Sequence, residues 1–399
     1  MPLAVHARLV TIVRRHFSVG RVRLKAGPTE LLRASEMEVG AGFRLFSYGL
    51  VAAAVMSVPP GHASLVAQAP SASASTDSGK GAIIGTGTFT AFVENMDRSL
   101  AFYRDAFGME VPALPASGER PYNPTNPQLF AMFDIAGARE RHQSARVPNT
   151  RVTVELMEIR DVEHRTIPLR VQDPGTATLV LVVRDLDTVL ARARKAGASV
   201  TTPGGVPVAL ADGGRAILIR DLDSRLIELR QSATTGTAEP AGDLLDMRLS
   251  IAVNDVGQTT RIYRDVLGFT ASEDAGFSAD TPTQLLTGLA LAQVKRSRIQ
   301  APGSTLWIEL VEFKGVDRTP LRMRIQDRGA ARLQVRAQNI DALVTAMKSA
   351  GLKVVSEGGV AVPIPPNFKG ALVADPNNFF LTPFAPCDGC TSRPLTPGR

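Results

Sequence analysis

The chain has 399 residues, which at about 150 residues per domain points to two or three domains. Hydrophobic residues make up 44% of it and charged residues 21%, which excludes collagen-like, wholly disordered and polytopic membrane classes. The net charge is +7, but eight Lys and Arg against three acids place +5 of it in residues 1–69, so the remainder offers no basic nucleic-acid surface.

In chain order, residues 1–69 read as a leader. Arg44 precedes an apolar run, Leu45 to Val58, that ends at Pro59-Pro60 and small residues. A cationic flank, a short apolar stretch and a site near Ala63 form a secretory signal, so export to the periplasm or medium is expected, with membrane contact only during export. The signal lies deep behind Met1. Either Met37 is the start, or the Arg-rich first 35 residues are an organelle transit peptide; an uncleaved anchor through residues 45–58 is the other alternative. Residues 70–81 are a Ser/Ala-rich linker.

Two bodies follow, residues 82–231 and 243–385, separated by a linker at 232–242 and followed by a Pro/Gly-rich tail at 386–399. In the first body, Val152–Met157, Ile217–Arg220 and Leu226–Arg230 are expected strands. Leu186, Val189, Leu190 and Ala193 recur at helical spacing before an Ala196-Gly197 stop. In the second, Leu249, Ile251 and Val253 alternate with polar or small residues as in a strand, and Ile340, Leu343, Val344 and Met347 mark a helix ending at Ala350-Gly351. The bodies repeat each other. Tyr103-Arg104-Asp105 matches Tyr263-Arg264-Asp265, and the offset then settles at 154 residues, pairing Glu155 with Glu309, Asp173 with Asp327 and Asp221 with Asp375. Each body is itself halved, with strand, helix and several strands in each half.

The segments Asp97 to Gly108 and Ile262 to Phe269 resemble the first-helix signature of the vicinal oxygen chelate superfamily. That superfamily includes glyoxalase I, extradiol dioxygenases, methylmalonyl-CoA epimerase and the bleomycin- and fosfomycin-resistance proteins. Asp221-Leu222-Asp223-Ser224 and Asp375-Pro376-Asn377-Asn378 resemble its closing hairpin. The resemblance implies an α+β fold of tandem paired βαβββ modules, four modules in two domains, each pair curling around a cleft.

The resemblance also implies four metal-ligand positions per domain, two His (or Gln) and two Glu. In the first body they fall at Thr88, Glu155, Thr178 and Glu228, and in the second at Arg248, Glu309, Arg332 and Thr382. Both imidazoles are missing from both bodies, and zinc and iron sites favour imidazole nitrogen. No cofactor is expected, unless a hard divalent cation sits between Glu155 and Glu228. Those glutamates are also the candidate catalytic acid and base. His142 and His164 are expected on surface loops.

In the second body Arg248, Arg332 and Arg336 are expected to share a concave face with Trp307, Glu309 and Thr382, suiting a small anionic or aromatic ligand. An internal Arg–Glu–Arg ion cluster is the alternative. The segments Arg165–Asp173 and Arg318–Asp327 read as anion clamps, solvated linkers or subunit contacts, and Pro121–Pro127 as a lid. Cys387 and Cys390 can close a small loop in an oxidising compartment. The expected function is a small-molecule-binding protein without a His-ligated metal, with a homodimer as one arrangement. The alternative is a lyase, isomerase or ring-cleaving dioxygenase using Glu155 and Glu228.

Overall fold

The computed structural model describes residues 81–390, apart from 124–125, 149, 234–241 and 388–389. These residues fall in one compact unit, Ser73–Arg399. The leader lies outside the described residues, as do the second linker's centre and the tail beyond 390. Among the described residues no helix is long and apolar enough to cross a membrane.

Four modules follow one another. The first holds β1 (Ile83–Phe92), α1 (Met96–Phe107), α2 (Pro127–Phe133), β2 (Arg139–Arg146) and β3 (Thr153–Arg160). The second holds β4 (Ala177–Val183), α3 (Leu186–Lys195), β5 (Ser199–Val200), β6 (Val208–Ala209), β7 (Arg215–Arg220) and β8 (Leu226–Gln231). The third holds β9 (Leu244–Ala252), α4 (Val256–Arg261), β10 (Thr270–Glu273), β11 (Ser278–Ala279), α5 (Thr281–Thr287), β12 (Gln293–Gln300) and β13 (Trp307–Lys314). The fourth holds β14 (Ala331–Ala337), α6 (Ile340–Ser349), β15 (Lys353–Val354), β16 (Val362–Ile364), β17 (Phe368–Gly370), β18 (Val373–Ala374) and β19 (Phe380–Pro386).

Local chemistry sets the helix ends. The side chains of Asn95, Asp185 and Asn339 cap α1, α3 and α6 by accepting from backbone N–H groups of the first turn. Gly197 and Gly351 follow the last helical residues of α3 and α6 with φ of 105° and 86°, the left-handed stop expected from the Ala-Gly pairs.

The sheets do not follow the two sequence copies. One runs β15-β18-β19-β14-β1-β3-β2 and so joins the first module to the fourth; the other runs β10-β12-β13-β9-β4-β8-β7-β5 and joins the third to the second. In each, the first strands of the two modules meet antiparallel, β1 on β14 and β4 on β9. The pairing of modules within 82–231 and within 243–385, expected from the copies, does not form. Each copy is instead divided between both sheets. Its halves stay together through the core, where Leu100, Leu190, Leu249 and Leu333, one from each module, join a single cluster.

The linking segments are tied by a pseudo-twofold pair of buried carboxylates. Asp173 accepts from the Thr319 backbone N–H at 2.7 Å and from Nε and NH2 of Arg170, both at 2.7 Å. Asp327 accepts from the Arg165 backbone N–H at 3.0 Å and from Arg324 Nε and NH2 at 3.1 and 2.8 Å. Arg165, Arg170 and Arg324 are thus engaged by the protein itself, and the anion-clamp reading of these segments gives way to a strap between the copies.

Candidate functional site

Strand alternation decides which side chains reach the cleft of the first sheet. On β3, Val154 and Leu156 enter the core, so Thr153, Glu155 and Met157 face the other way. On β14 the core takes Leu333 and Val335 and the cleft takes Arg332 and Gln334, while β19 adds Thr382 and Phe384 and β2 adds Glu140 and His142. The result is a cavity of about 710 Å³. Its walls are apolar: Leu129 and Met132 of α2, Met157, Ile364, Phe368 and Phe384. Asn123, Asn126 and Pro127 of the expected lid line it, while Pro124 and Thr125 lie outside the described residues.

One oxygen of Glu155 is heavily engaged at the floor of this cavity. Its Oε2 accepts from Thr90 Oγ1 at 2.7 Å, Gln334 Nε2 at 2.9 Å and an Arg332 guanidinium nitrogen at 3.1 Å. Burial pushes the carboxyl up, but the Arg332 and His142 charges and the Thr90 hydroxyl outweigh it and hold Glu155 below its ordinary value. Arg332 is only 4% exposed and sits 4.9 Å over the Phe133 ring, with another nitrogen 3.4 Å from Thr382 Oγ1. Burial lowers its pKa and Glu155 opposes that shift. The Nε of Arg332 is buried without a partner among the described residues.

His142 stands on strand β2, not on the loop expected for it, and its exposed ring lines the same cavity. Its Nδ1 lies 2.9 Å from Glu140 Oε2, and the other oxygen of Glu140 accepts from Asn123 Nδ2 at 2.8 Å. The Glu140 hydrogen bond raises the His142 pKa; burial opposes and the Glu155 charge supports that shift. His164 sits after β3, with Nδ1 2.6 Å from the Gln326 carbonyl.

The second sheet carries a smaller cleft of about 340 Å³, lined among others by Thr178, Glu228, Ser250 and Glu309. Arg230 Nε donates to Glu228 at 2.8 Å, and Glu309 lies 3.4 and 3.5 Å from Nε of Arg296 and Arg298. Burial raises Glu228 and the Arg230 charge opposes it, while the Glu309 charge pushes it further up.

Cross-paired sheets redistribute the ligand-equivalent positions. Glu155 and Glu228, expected to face each other, lie in different sheets. Glu155 shares its cleft with Arg332 and Thr382, and Glu228 shares its own with Thr178 and Glu309. Strand register also places Thr90, not Thr88, beside Glu155, with Thr88 hydrogen-bonded to Thr153 at 3.0 Å. Ser250, not Arg248, opposes both Thr178 and Glu309, because Arg248 lies two residues along, exposed and paired with Asp246 at 3.0 Å. Trp307 is 44% exposed and Arg336 is exposed on a strand of the other sheet, so the expected arginine-rich cleft with a stacking tryptophan does not assemble.

Neither constellation fits a histidine-ligated cation. In the first, a guanidinium and two threonines surround one carboxylate that already accepts three hydrogen bonds. In the second, arginines hold both carboxylates, and among the described residues no three His, Cys, Asp or Glu are grouped to hold a metal. Among the polar groups of the larger cleft, His142 and Glu140 escaped sequence reasoning. The available signal was the alternation Glu140-x-His142-x-Ser144, and the repeat offset, which pairs His142 with Arg296 of the second cleft.

The family model described as "Glyoxalase/Bleomycin resistance protein/Dioxygenase superfamily" matches residues 85–229 and 247–363. Glyoxalase I from Zea mays is similar at 18% identity over 75% of this chain and 92% of its own, with a TM-score of 0.50. A glyoxalase family protein from Bacillus cereus is similar at 19% identity over 38% of this chain and 95% of its own, with a TM-score of 0.31. No curated protein matches the chain significantly.

Proposed function

The chain belongs to the glyoxalase/bleomycin resistance protein/dioxygenase superfamily, and from that premise we propose that it binds a small molecule in the larger cleft without a His-ligated metal. The observation that carries this reading is the Arg332–Glu155 ion pair at 3.1 Å, which sets a cation of the protein's own against the glutamate a metal would need. A dication brought to that carboxylate would meet the guanidinium at close range in a site of low dielectric.

The walls specify the ligand class. Most of the lining surface is apolar or aromatic, and charges cancel locally in the pairs Arg332 with Glu155 and Lys369 with Asp341 at 2.6 Å, while Glu140 is hydrogen-bonded to Asn123 and His142. That balance favours a planar, largely apolar molecule carrying an oxygen acceptor over the strongly anionic ligand expected from the sequence. The Arg332 guanidinium, which lines the cavity, is the cationic donor for that oxygen.

Export is part of the same proposal. The signal-like run after Arg44 motivates it, and the Cys387–Cys390 disulfide suits an oxidising compartment. Sequencing the mature N-terminus from the native host should then give a start between Ser64 and Pro70.

A thermal-shift screen of aromatic amphiphiles, run in EDTA and repeated with Zn²⁺ and Mn²⁺, tests the binding reading. Hits should stabilise the protein equally with and without metal, and should lose about tenfold in affinity when Phe368→Ser removes an apolar wall. A ligand that binds only with one equivalent of Zn²⁺ or Mn²⁺, and not to Glu155→Gln, would overturn it.

A further inference from the structure

Three carboxyl or imidazole groups line the larger cleft, and the hydrogen bonds divide their roles. Glu155 accepts three donors on one oxygen and is held as a carboxylate against the Arg332 guanidinium. Glu140 is only 4% exposed and has both oxygens engaged, one by Asn123 and one by His142. The imidazole is different. Its hydrogen-bond contacts run through Nδ1, and the ring side chain is 42% exposed where it lines the cavity. A carboxylate that accepts from Nδ1–H fixes the tautomer in which Nε2 carries the lone pair. Across the sheet, the Arg332 guanidinium lines the same cavity and is paired with Glu155 at 3.1 Å. Strands β3 and β1 separate β2 from β14, so base and donor stand about 14 Å apart along the sheet at backbone level. Both side chains line one cavity, so a ligand that fills it meets both.

We infer that His142, oriented by Glu140, is a general base that removes a carbon-bound proton from a planar conjugated molecule whose far oxygen is received by Arg332. This rests on the binding reading above and adds to it a reaction, a metal-free proton transfer. The C–H bond breaks and its proton goes to His142 Nε2. The electron pair moves through the conjugated system to the terminal oxygen, which carries the negative charge against the guanidinium. Returning the proton to a different carbon completes an isomerisation, and no oxidant or reductant is needed. Glu140 acts through the imidazole and is a positioning residue.

A probe of this chemistry needs no knowledge of the natural ligand. With 5-nitrobenzisoxazole, the base takes the C3 proton, the C–H pair forms the nitrile, the N–O bond breaks and its electrons appear on a coloured phenolate. The full-length protein in EDTA should accelerate this reaction. The rate should rise as His142 loses its proton, in an environment set by Glu140 on its own strand, Glu155 on β3, Arg332 on β14 and Lys369 on β17. His142→Gln should lower kcat/KM roughly 10²-fold, the scale of a positioned base, with the melting temperature unchanged. Glu140→Gln should lower it less and move the pH midpoint down.

The unreactive isostere 5-nitrobenzotriazole, followed by calorimetry, separates the two readings. Triazole bound by wild type and by His142→Gln, with turnover lost only in the variant, supports the inference. Triazole binding with turnover that His142→Gln leaves intact overturns the catalytic role and leaves binding standing. Failure of wild type to bind the triazole, with no turnover, removes both.

Discussion

Arg332 is the residue on which the larger cleft depends. It is 4% exposed and 3.1 Å from Glu155, itself held by Thr90 and Gln334. Removing one member of a buried ion pair strands the other charge, so Arg332→Ala should cost about 3–5 kcal/mol in urea unfolding. The double variant Glu155→Gln/Arg332→Met removes both charges and should recover most of that loss. If the single variant costs under about 1 kcal/mol, solvent reaches the pair and the argument against a bound cation weakens. The inward orientation of Glu155, Glu228 and Glu309 was legible from alternation along their strands, as was the loss of both imidazoles. The company these residues keep was not. Thr90 and Ser250 are each two positions from the first-strand positions taken from the resemblance, and alternation assigns both candidates on a strand to the same face, so only register separates them.

At the scale of elements, buried carboxylates fasten strands to helices and loops, and they set the response to acid. Glu158 of β3 accepts from the Met96 N–H that opens α1 at 2.9 Å, from Arg141 Nε and NH2 at 3.0 and 2.8 Å, and from Tyr122 Oη at 2.7 Å. Burial pushes its carboxyl up, but these donors outweigh it and hold the pKa at about 2. Asp327 is held at about 2 by its Arg165 and Arg324 bonds, again against burial. Both folded values lie below the unfolded ones, so the stabilisation is present above about pH 5 and is lost as pH falls toward 2, about 2–3 kcal/mol for each group. Asp375 has the opposite sign. Burial raises it to about 6 despite bonds from the Asn377 and Phe379 N–H groups, so its contribution is present below its ordinary value and is lost as pH rises through about 6. A melting-temperature series should rise slightly from pH 7 to about 5 and fall steeply below about 4. Asp375→Asn should flatten the upper limb and Glu158→Gln should shrink the lower one. A series that falls steadily from pH 7 would contradict the assignment of Asp375. Helix ends and core stripes at this scale were legible because caps and periods are local. The anchors made by Glu158 and Asp327 were not, since they join residues tens to more than a hundred positions apart.

For the whole molecule, the decisive fact is that duplication in sequence and continuity of sheet run across each other. A repeat offset identifies equivalent residues but leaves open which module meets which, because pairing 1 with 2 or 1 with 4 buries the same alternating faces. Here β1 finds β14 and β4 finds β9, so each sequence copy exposes two first-strand edges when alone. Each copy also lacks half of every cleft: 82–231 supplies Glu155 and His142 without Arg332, Gln334 or Thr382. Unpaired edges beside apolar faces make a lone copy prone to association. Residues 81–233 expressed alone should therefore be unfolded or self-associated. The same fragment co-expressed with 242–390 should give a folded one-to-one complex, since the break falls between the two copies and severs no strand pairing. Sedimentation with near-ultraviolet circular dichroism distinguishes the outcomes. A monomeric first fragment that melts cooperatively with native-like aromatic signals would mean that modules 1 and 2 close on each other, and the cross-paired clefts would lose their support. A complex that forms only from both fragments, and that regains the buried Glu155–Arg332 pair as judged by sensitivity to Arg332→Ala in the second fragment, would tie the larger cleft to the union of the two copies.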